Sequence, residues 1–191
     1  MKKDLPIIFA IILVIAVLIM GTEFQSVDEY YLTHIDDIQP DSETVTLEIR
    51  CDTILDNYDR LDPQLRSPEY VPEDGVILPK TEYVLRDSDT VFDVLHRAVR
   101  YNKIQFEYQG AKDNAFGSAY VQGINYLYEF SCGETSGWVF AVNGEFPNYG
   151  SSNYVLEDGD EIVWLYTCKL GEDVGLLMND NPQLPQKETT Q

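Results

Sequence analysis

The chain has 191 residues, with 13 Lys and Arg against 33 Asp and Glu, a formal charge of −20. That length holds one ordinary domain with appendages, and a 44% hydrophobic fraction supports a packed core rather than a disordered acidic tail. The charge repels phosphate backbones and anionic lipid, which argues against nucleic-acid and peripheral-membrane binding; two histidines, His34 and His96, leave little for metal or nucleophilic chemistry.

The N-terminus carries an address. Lys2, Lys3 and Asp4 precede residues 5–20, which are uncharged and apolar; Gly21 and Thr22 extend the run to 18 residues. As a helix it spans about 27 Å at roughly 1.5 Å per residue, close to a bilayer core. Pro6 falls near the start, where a helix needs no N–H from it. Branched aliphatics cover every face, so a buried core helix is a poor reading. The two lysines should stay inside, which puts the rest of the chain outside the cell. Residues 1–22 are therefore read as a single membrane-spanning anchor, with the membrane contacted through residues 5–22; a cleaved signal segment, giving a secreted protein, is the alternative. Once Lys2, Lys3 and Asp4 are set aside, the remainder holds 11 basic and 32 acidic residues.

Residues 23–43 are acidic and aperiodic and read as a stalk; residues 176–191 are polar and read as a disordered tail. The folded unit is placed at 44–175. Residues 44–51 alternate Val45, Leu47, Ile49 and Cys51 against polar neighbours, a half-buried strand. Ile54, Leu55, Tyr58 and Leu61 have helical spacing up to Pro63. Residues 63–79 contain four prolines and Gly75 and read as a long ordered loop, with a second strand at 80–85. The clearest helix follows. Thr90 and Asp93 approximate a capping box, and Val91, Val94, Leu95, Ala98 and Val99 form its buried stripe, with His96, Arg97 and Arg100 outside it. Later residues read as strands at 104–108, 119–121, 127–131, 138–143 and 161–168. Asn143-Gly144 suits a hairpin turn because both residues tolerate positive φ. Ile162, Trp164, Tyr166 and Cys168 share one side of the last strand and Val163 and Leu165 the other, as in a central strand. The layout is α+β, with one main helix packed on a mixed sheet.

Chemistry is sparse. Gly133-Glu134-Thr135-Ser136-Gly137 is not the nucleophile elbow of serine hydrolases. His34 lies in the stalk and His96 on a helix surface, neither placed as a base. Two carboxylate groups, Asp56, Asp59 and Asp62, and Glu157, Asp158, Asp160 and Glu161, lack calcium-loop spacing and read as solvated turns. No catalytic residue, metal site or cofactor is expected. Tyr126, Phe146 and Tyr149 stand among Gly, Asn and Pro, which puts these flat rings on exposed loops.

The set Ser136-Gly137-Trp138, Val142-Asn143-Gly144, Pro147-Asn148-Tyr149-Gly150 and Asp158-Gly159-Asp160-Glu161-Ile162-Val163-Trp164 resembles the transcobalamin-like C-terminal domain family, and Asp89-Thr90-Val91-Phe92-Asp93-Val94-Leu95 resembles its helix. The likeness covers roughly 80–170. That family is common on exported proteins of Gram-positive bacteria. The resemblance implies a β-grasp-like mixed sheet and a binding module; the namesake domain closes over one face of a corrinoid. The large helical partner domain of those carriers has no counterpart here. On this reading the loops bearing Asn125, Tyr126, Phe146, Asn148, Tyr149, Asn153 and Tyr154 hold a small ligand, with a corrinoid (cobalamin) as candidate. Asn125, Asn148 and Asn153 would supply amide hydrogen bonds. The alternative is an adhesion or envelope-assembly module that binds a surface protein or glycan through the same loops. In a β-grasp the first and last strands lie parallel and adjacent, which clusters Cys51, Cys132 and Cys168. Cys132–Cys168 is the favoured disulfide, with Cys51 as alternative partner.

Overall fold

The computed structural model describes residues 37–176. The apolar run at 5–22, most of the acidic stalk and nearly all of the polar tail lie outside the described residues. Among those described, no helix is long and apolar enough to cross a membrane.

The described region is a mixed α+β fold with two sheets and one main helix. The elements are β1 (Thr44–Arg50), β2 (Val76–Val84), α1 (Val91–Tyr101), β3 (Phe106–Gln109), β4 (Tyr120–Ile124), β5 (Leu127–Tyr128), β6 (Gly137–Val142) and β7 (Glu161–Thr167), with short 3-10 turns at Asp52–Asn57, Pro63–Leu65 and Glu172–Val174. The larger sheet has the order β2-β1-β7-β6. β1 and β7 are parallel, with Thr46 opposite Glu161 and Arg50 opposite Leu165; the outer pairs are antiparallel.

The helix forms where its apolar spacing and cap place it. The Thr90 hydroxyl accepts from the Asp93 N–H at 3.3 Å, and the Asp93 carboxylate accepts from the Thr90 N–H at 2.9 Å. Val91, Val94, Leu95, Ala98 and Val99 are fully buried against Val45, Leu47 and Ile49 of β1, Tyr83 of β2 and Ile162 and Trp164 of β7. Each of the four branched side chains on that stripe contributes about 2 kcal/mol of burial. As expected for a central strand, β7 has β1 on one side and β6 on the other.

Three features depart from the sequence reading. The second strand begins at Val76, not at residue 80, and runs through Pro79. β2 is an edge strand, so the missing N–H costs it little. The register slips there, from Leu47 opposite Thr81 to Ile49 opposite Leu78, absorbing an extra residue as a bulge. The single mixed sheet becomes two. β3, β4 and β5 form a separate three-stranded antiparallel sheet, whose Val121 and Ile124 close the same core. The expected strand at 127–131 keeps only Leu127 and Tyr128. Beyond them Phe130 takes φ +67° and the chain turns, its N–H donating to Ser136 O at 3.0 Å.

The proline-rich segment after β1 is ordered by a smaller core of its own. Ile54, Leu61 and Val71 pack with Cys51, Leu127, Cys132, Tyr166 and Cys168. The Arg66 guanidinium ties the segment by donating to the carbonyls of Asp59 and Leu61. Gly75, at φ +71°, is required because a Cβ there would lie 2.5 Å from Asp52 Cα.

A buried ion pair links β2 to the helix. Arg97 Nη1 lies 2.6 Å from Asp89 Oδ2, both side chains almost fully enclosed, and Arg97 Nη2 donates to Val84 O at 2.9 Å. Removing one partner leaves a buried charge uncompensated. Asp89→Asn should cost about 3 kcal/mol in urea unfolding, and a second substitution, Arg97→Met, should recover much of that loss.

Candidate functional site

Two loops meet beyond the start of β4 and carry two strongly exposed rings, Phe116 and Tyr149. In the first, Asn114 Nδ2 donates to Gly110 O and Ser118 O, each at 2.8 Å, while its Oδ1 accepts from the Phe116 N–H at 2.8 Å. This closes the loop and turns Phe116 outward, 73% exposed. Its ring stacks on Tyr120 at 5.4 Å. The Tyr120 hydroxyl donates to Glu129 Oε2 at 2.5 Å. Burial first, and then the Glu129 carboxylate, push that phenol up to about 12, so it remains a neutral donor at physiological pH.

The second loop is pinned from two sides. Phe92 N–H and Val91 N–H, at the start of α1, donate to Ser151 O and Tyr154 O, both at 3.1 Å. Ser152 Oγ accepts from Ala119 N–H and bonds Ser118 Oγ, both at 2.9 Å. Gly150 completes the seam, because a Cβ there would fall 2.0 Å from Ser118 Oγ. On this loop Tyr149 is 59% exposed and faces Tyr154 with ring centroids 6.0 Å apart. The result is a two-serine seam with Phe116 of the first loop and Tyr120 at the start of β4 on one side, and Tyr149 and Tyr154 of the second loop on the other. Flat rings beside hydroxyl and amide groups suit stacking on a planar or ring-shaped ligand.

Of the sequence-selected residues, Tyr149, Asn153 and Tyr154 belong to this seam. Asn153 is exposed and its Nδ2 donates to Gly117 O at 3.4 Å. Phe146 is half-buried and Asn148 exposed on the approach to Tyr149. Asn125 and Tyr126 lie elsewhere. They form the positive-φ turn between β4 and β5, at the opposite end of a five-residue strand, about 16 Å away at roughly 3.3 Å per residue. The Asn125 amide donates to Glu69 O and Tyr70 O at 3.2 and 3.0 Å, so it holds the proline-rich segment. Tyr126 packs edge-on against Tyr70 at 5.4 Å. Of the acidic groups, Asp62 Oδ1 caps Gln64 N–H, Asp158 Oδ1 accepts from Thr44 N–H, and Asp160 accepts from Asn143 Nδ2 and Glu157 N–H, which is turn chemistry. Among the described residues no three His, Cys, Asp or Glu side chains are grouped to hold a metal ion.

The sequence reading missed Phe116 and Tyr120 as site residues, and it missed a ring cluster beside the seam. Phe92 and His96, one helical turn apart on α1, pack against Phe106 and Tyr108, which alternate on β3. Ring separations run from 4.8 Å for Phe92–Tyr108 to 6.1 Å for Phe92–Phe106. The spacing was visible, but the two pairs meet only when the second sheet docks. Burial, followed by the charge of Arg100, holds His96 below its ordinary value of 6.5.

Cys132, in the loop after β5, and Cys168, at the end of β7, are both buried as thiols with sulfurs 3.1 Å apart. Cys51 is buried in the same apolar cluster.

A family model described as a domain of unknown function (DUF4430) matches residues 88–168. That stretch contains α1, the second sheet, both seam loops and β7. No curated protein matches the sequence. Among solved structures, a candidate metal-binding protein from Ruminococcus gnavus ATCC 29149 aligns with a TM-score of 0.39 and 11% identity, over 65% of this chain and 96% of that one. Haptocorrin in complex with Cbi aligns with a TM-score of 0.46 and 14% identity, over 71% of this chain and 27% of that one, so the chain spans about a quarter of haptocorrin.

Two measurements probe this geometry. Gly150→Ala drives a methyl group into Ser118 and should cost about 1–3 kcal/mol in urea unfolding; Ser118→Gly in the same chain should return part of it. For His96, an NMR titration of the imidazole should give a midpoint below 6.5. The unfolded chain binds that proton more readily than the folded one, so stability falls as pH drops below 6.5 and is indifferent to this group above it. His96→Phe should flatten that slope.

Proposed function

We propose that this protein is an extracellular binding module, held to the cell membrane by residues 5–22, and that the aromatic seam is its recognition surface. The observation that carries the reading is the exposure of Phe116 and Tyr149, at 73% and 59%, on loops locked by hydrogen bonds and packing. Rings held rigidly in water contribute little to folding and are already organised for a partner. The charge and the short positive N-terminus support export, and in this reading the domain binds without catalysing.

The ligand class follows from the seam. Tyr and Phe faces with Ser and Asn edges fit a flat, amide-rich small molecule. The motif run from Ser136 to Trp164 supports a corrinoid as candidate, and the parallel pairing of β1 and β7 beneath a single helix supports the β-grasp reading that goes with it. The outward stance of Phe116 favours a second reading, an adhesion module stacking on surface glycan or protein.

The test is equilibrium dialysis of the full chain in detergent against cobalamin, beside the double variant Phe116→Ala, Tyr149→Ala. Dissociation constants of micromolar order, weakened at least about tenfold in the variant while its urea midpoint stays put, fit the small-ligand reading. No binding at about millimolar cobalamin overturns it. Retention on immobilised surface glycans that the same variant loses would then select adhesion, and a variant that loses neither would remove the seam from recognition.

A further inference from the structure

We infer that Cys132 and Cys168 form a dithiol built to close into a disulfide that locks residues 128–136 to the end of β7, with Cys51 the thiol left out.

The backbone around both sulfurs is already held. Cys132 N–H donates to Ser136 Oγ at 3.0 Å, and Cys168 N–H to Asp173 Oδ2 at 2.8 Å. Thr135 Oγ1 donates to Cys168 O, and the Tyr166 hydroxyl to Tyr128 O, each at 2.7 Å. These bonds join the loop to the strand on both sides of the thiols. The sulfurs stand 3.1 Å apart, so about 1 Å of approach brings them to the ~2.05 Å of a bond. What reaches the Cys168 sulfur from the end of β1 is the Thr53 hydroxyl, at 3.9 Å. Cys51 lies in the same apolar cluster, where burial pushes its thiol up to about 12.

In the folded chain the Cys168 S–H donates to the Cys132 sulfur at 3.1 Å, which makes these two the partners of the exchange; either can attack first, and the steps are the same with Cys132 leading. The Cys132 thiolate attacks one sulfur of an external disulfide, either a small-molecule disulfide or an exported dithiol oxidase. The external S–S bond breaks and one half leaves as a thiolate. Cys168 then loses its proton and attacks the Cys132 sulfur, expelling the second half. Two thiols of the chain are oxidised by two electrons, and the external disulfide is reduced to two thiols that carry away the protons. Both sulfurs are sealed in the finished fold, so the exchange takes place while residues 128–136 are still open. In the cell the oxidant is met outside the membrane, and that arm rests on the proposed export.

The test refolds the full chain in detergent in a buffer of oxidised and reduced glutathione, then unfolds and alkylates it. The expected product has lost two hydrogens, carries one alkylated cysteine, Cys51, and yields a peptide linking Cys132 to Cys168. Cys51→Ser should keep that link, and Cys132→Ser and Cys168→Ser should each abolish it. A link containing Cys51, or three alkylated thiols, overturns the inference. Surface proteolysis of intact cells is read separately. A chain that forms the link in glutathione yet resists protease on cells defeats the export reading and leaves the pairing standing.

Discussion

The fold depends on one long-range contact, the parallel pairing of β1 with β7. Thr46 and Glu161 are opposite each other although 115 positions apart. Closing a loop of that length costs about 4 kcal/mol of chain entropy. The return comes from the face the pair creates, where Leu47, Ile49, Ile162 and Trp164 lie under the apolar stripe of α1. Neither strand has a core without the other, and the helix has no floor without both. The second sheet and the seam loops are carried by chain strung between these two strands, and the thiol cluster gathers where the two strands end.

That arrangement explains why the proposed recognition surface is rigid. The second seam loop hangs from the first turn of α1 through Phe92 and Val91, and the first loop from β4, whose Val121 and Ile124 enter the core. The two loops then meet through serines rather than through solvent. The proposed recognition surface and the fold share the same anchor, and Gly150 sits where the two loops meet, against Ser118.

Local chemistry was legible in the sequence, and its convergence was not. The stripe and cap of α1 could be read because both lie within eleven residues, and the Asn143-Gly144 turn because two residues suffice. β2 was read short because Pro79 argues against a strand unless its edge position and bulge are known. Asn125 carried a plausible amide for a ligand, but that amide is spent on Glu69 O and Tyr70 O, carbonyls 56 and 55 positions away. Tyr149 and Tyr154 were legible as loop aromatics. Phe116 was not, because its exposure depends on Asn114 folding the loop back on itself. The nearness of Cys132 to Cys168 was legible only through the family resemblance, whose β-grasp layout brings the three cysteines together.

The parallel pairing of the outermost segments has a mechanical side. Tension applied across residues 44 and 167 pulls β1 and β7 in opposite directions along their shared axis. The evenly spaced bonds of a parallel ladder then bear the load together, in shear, instead of opening one after another. Ends pulled this way part only when the whole ladder gives way, so resistance to such a pull is set by that one unfolding event.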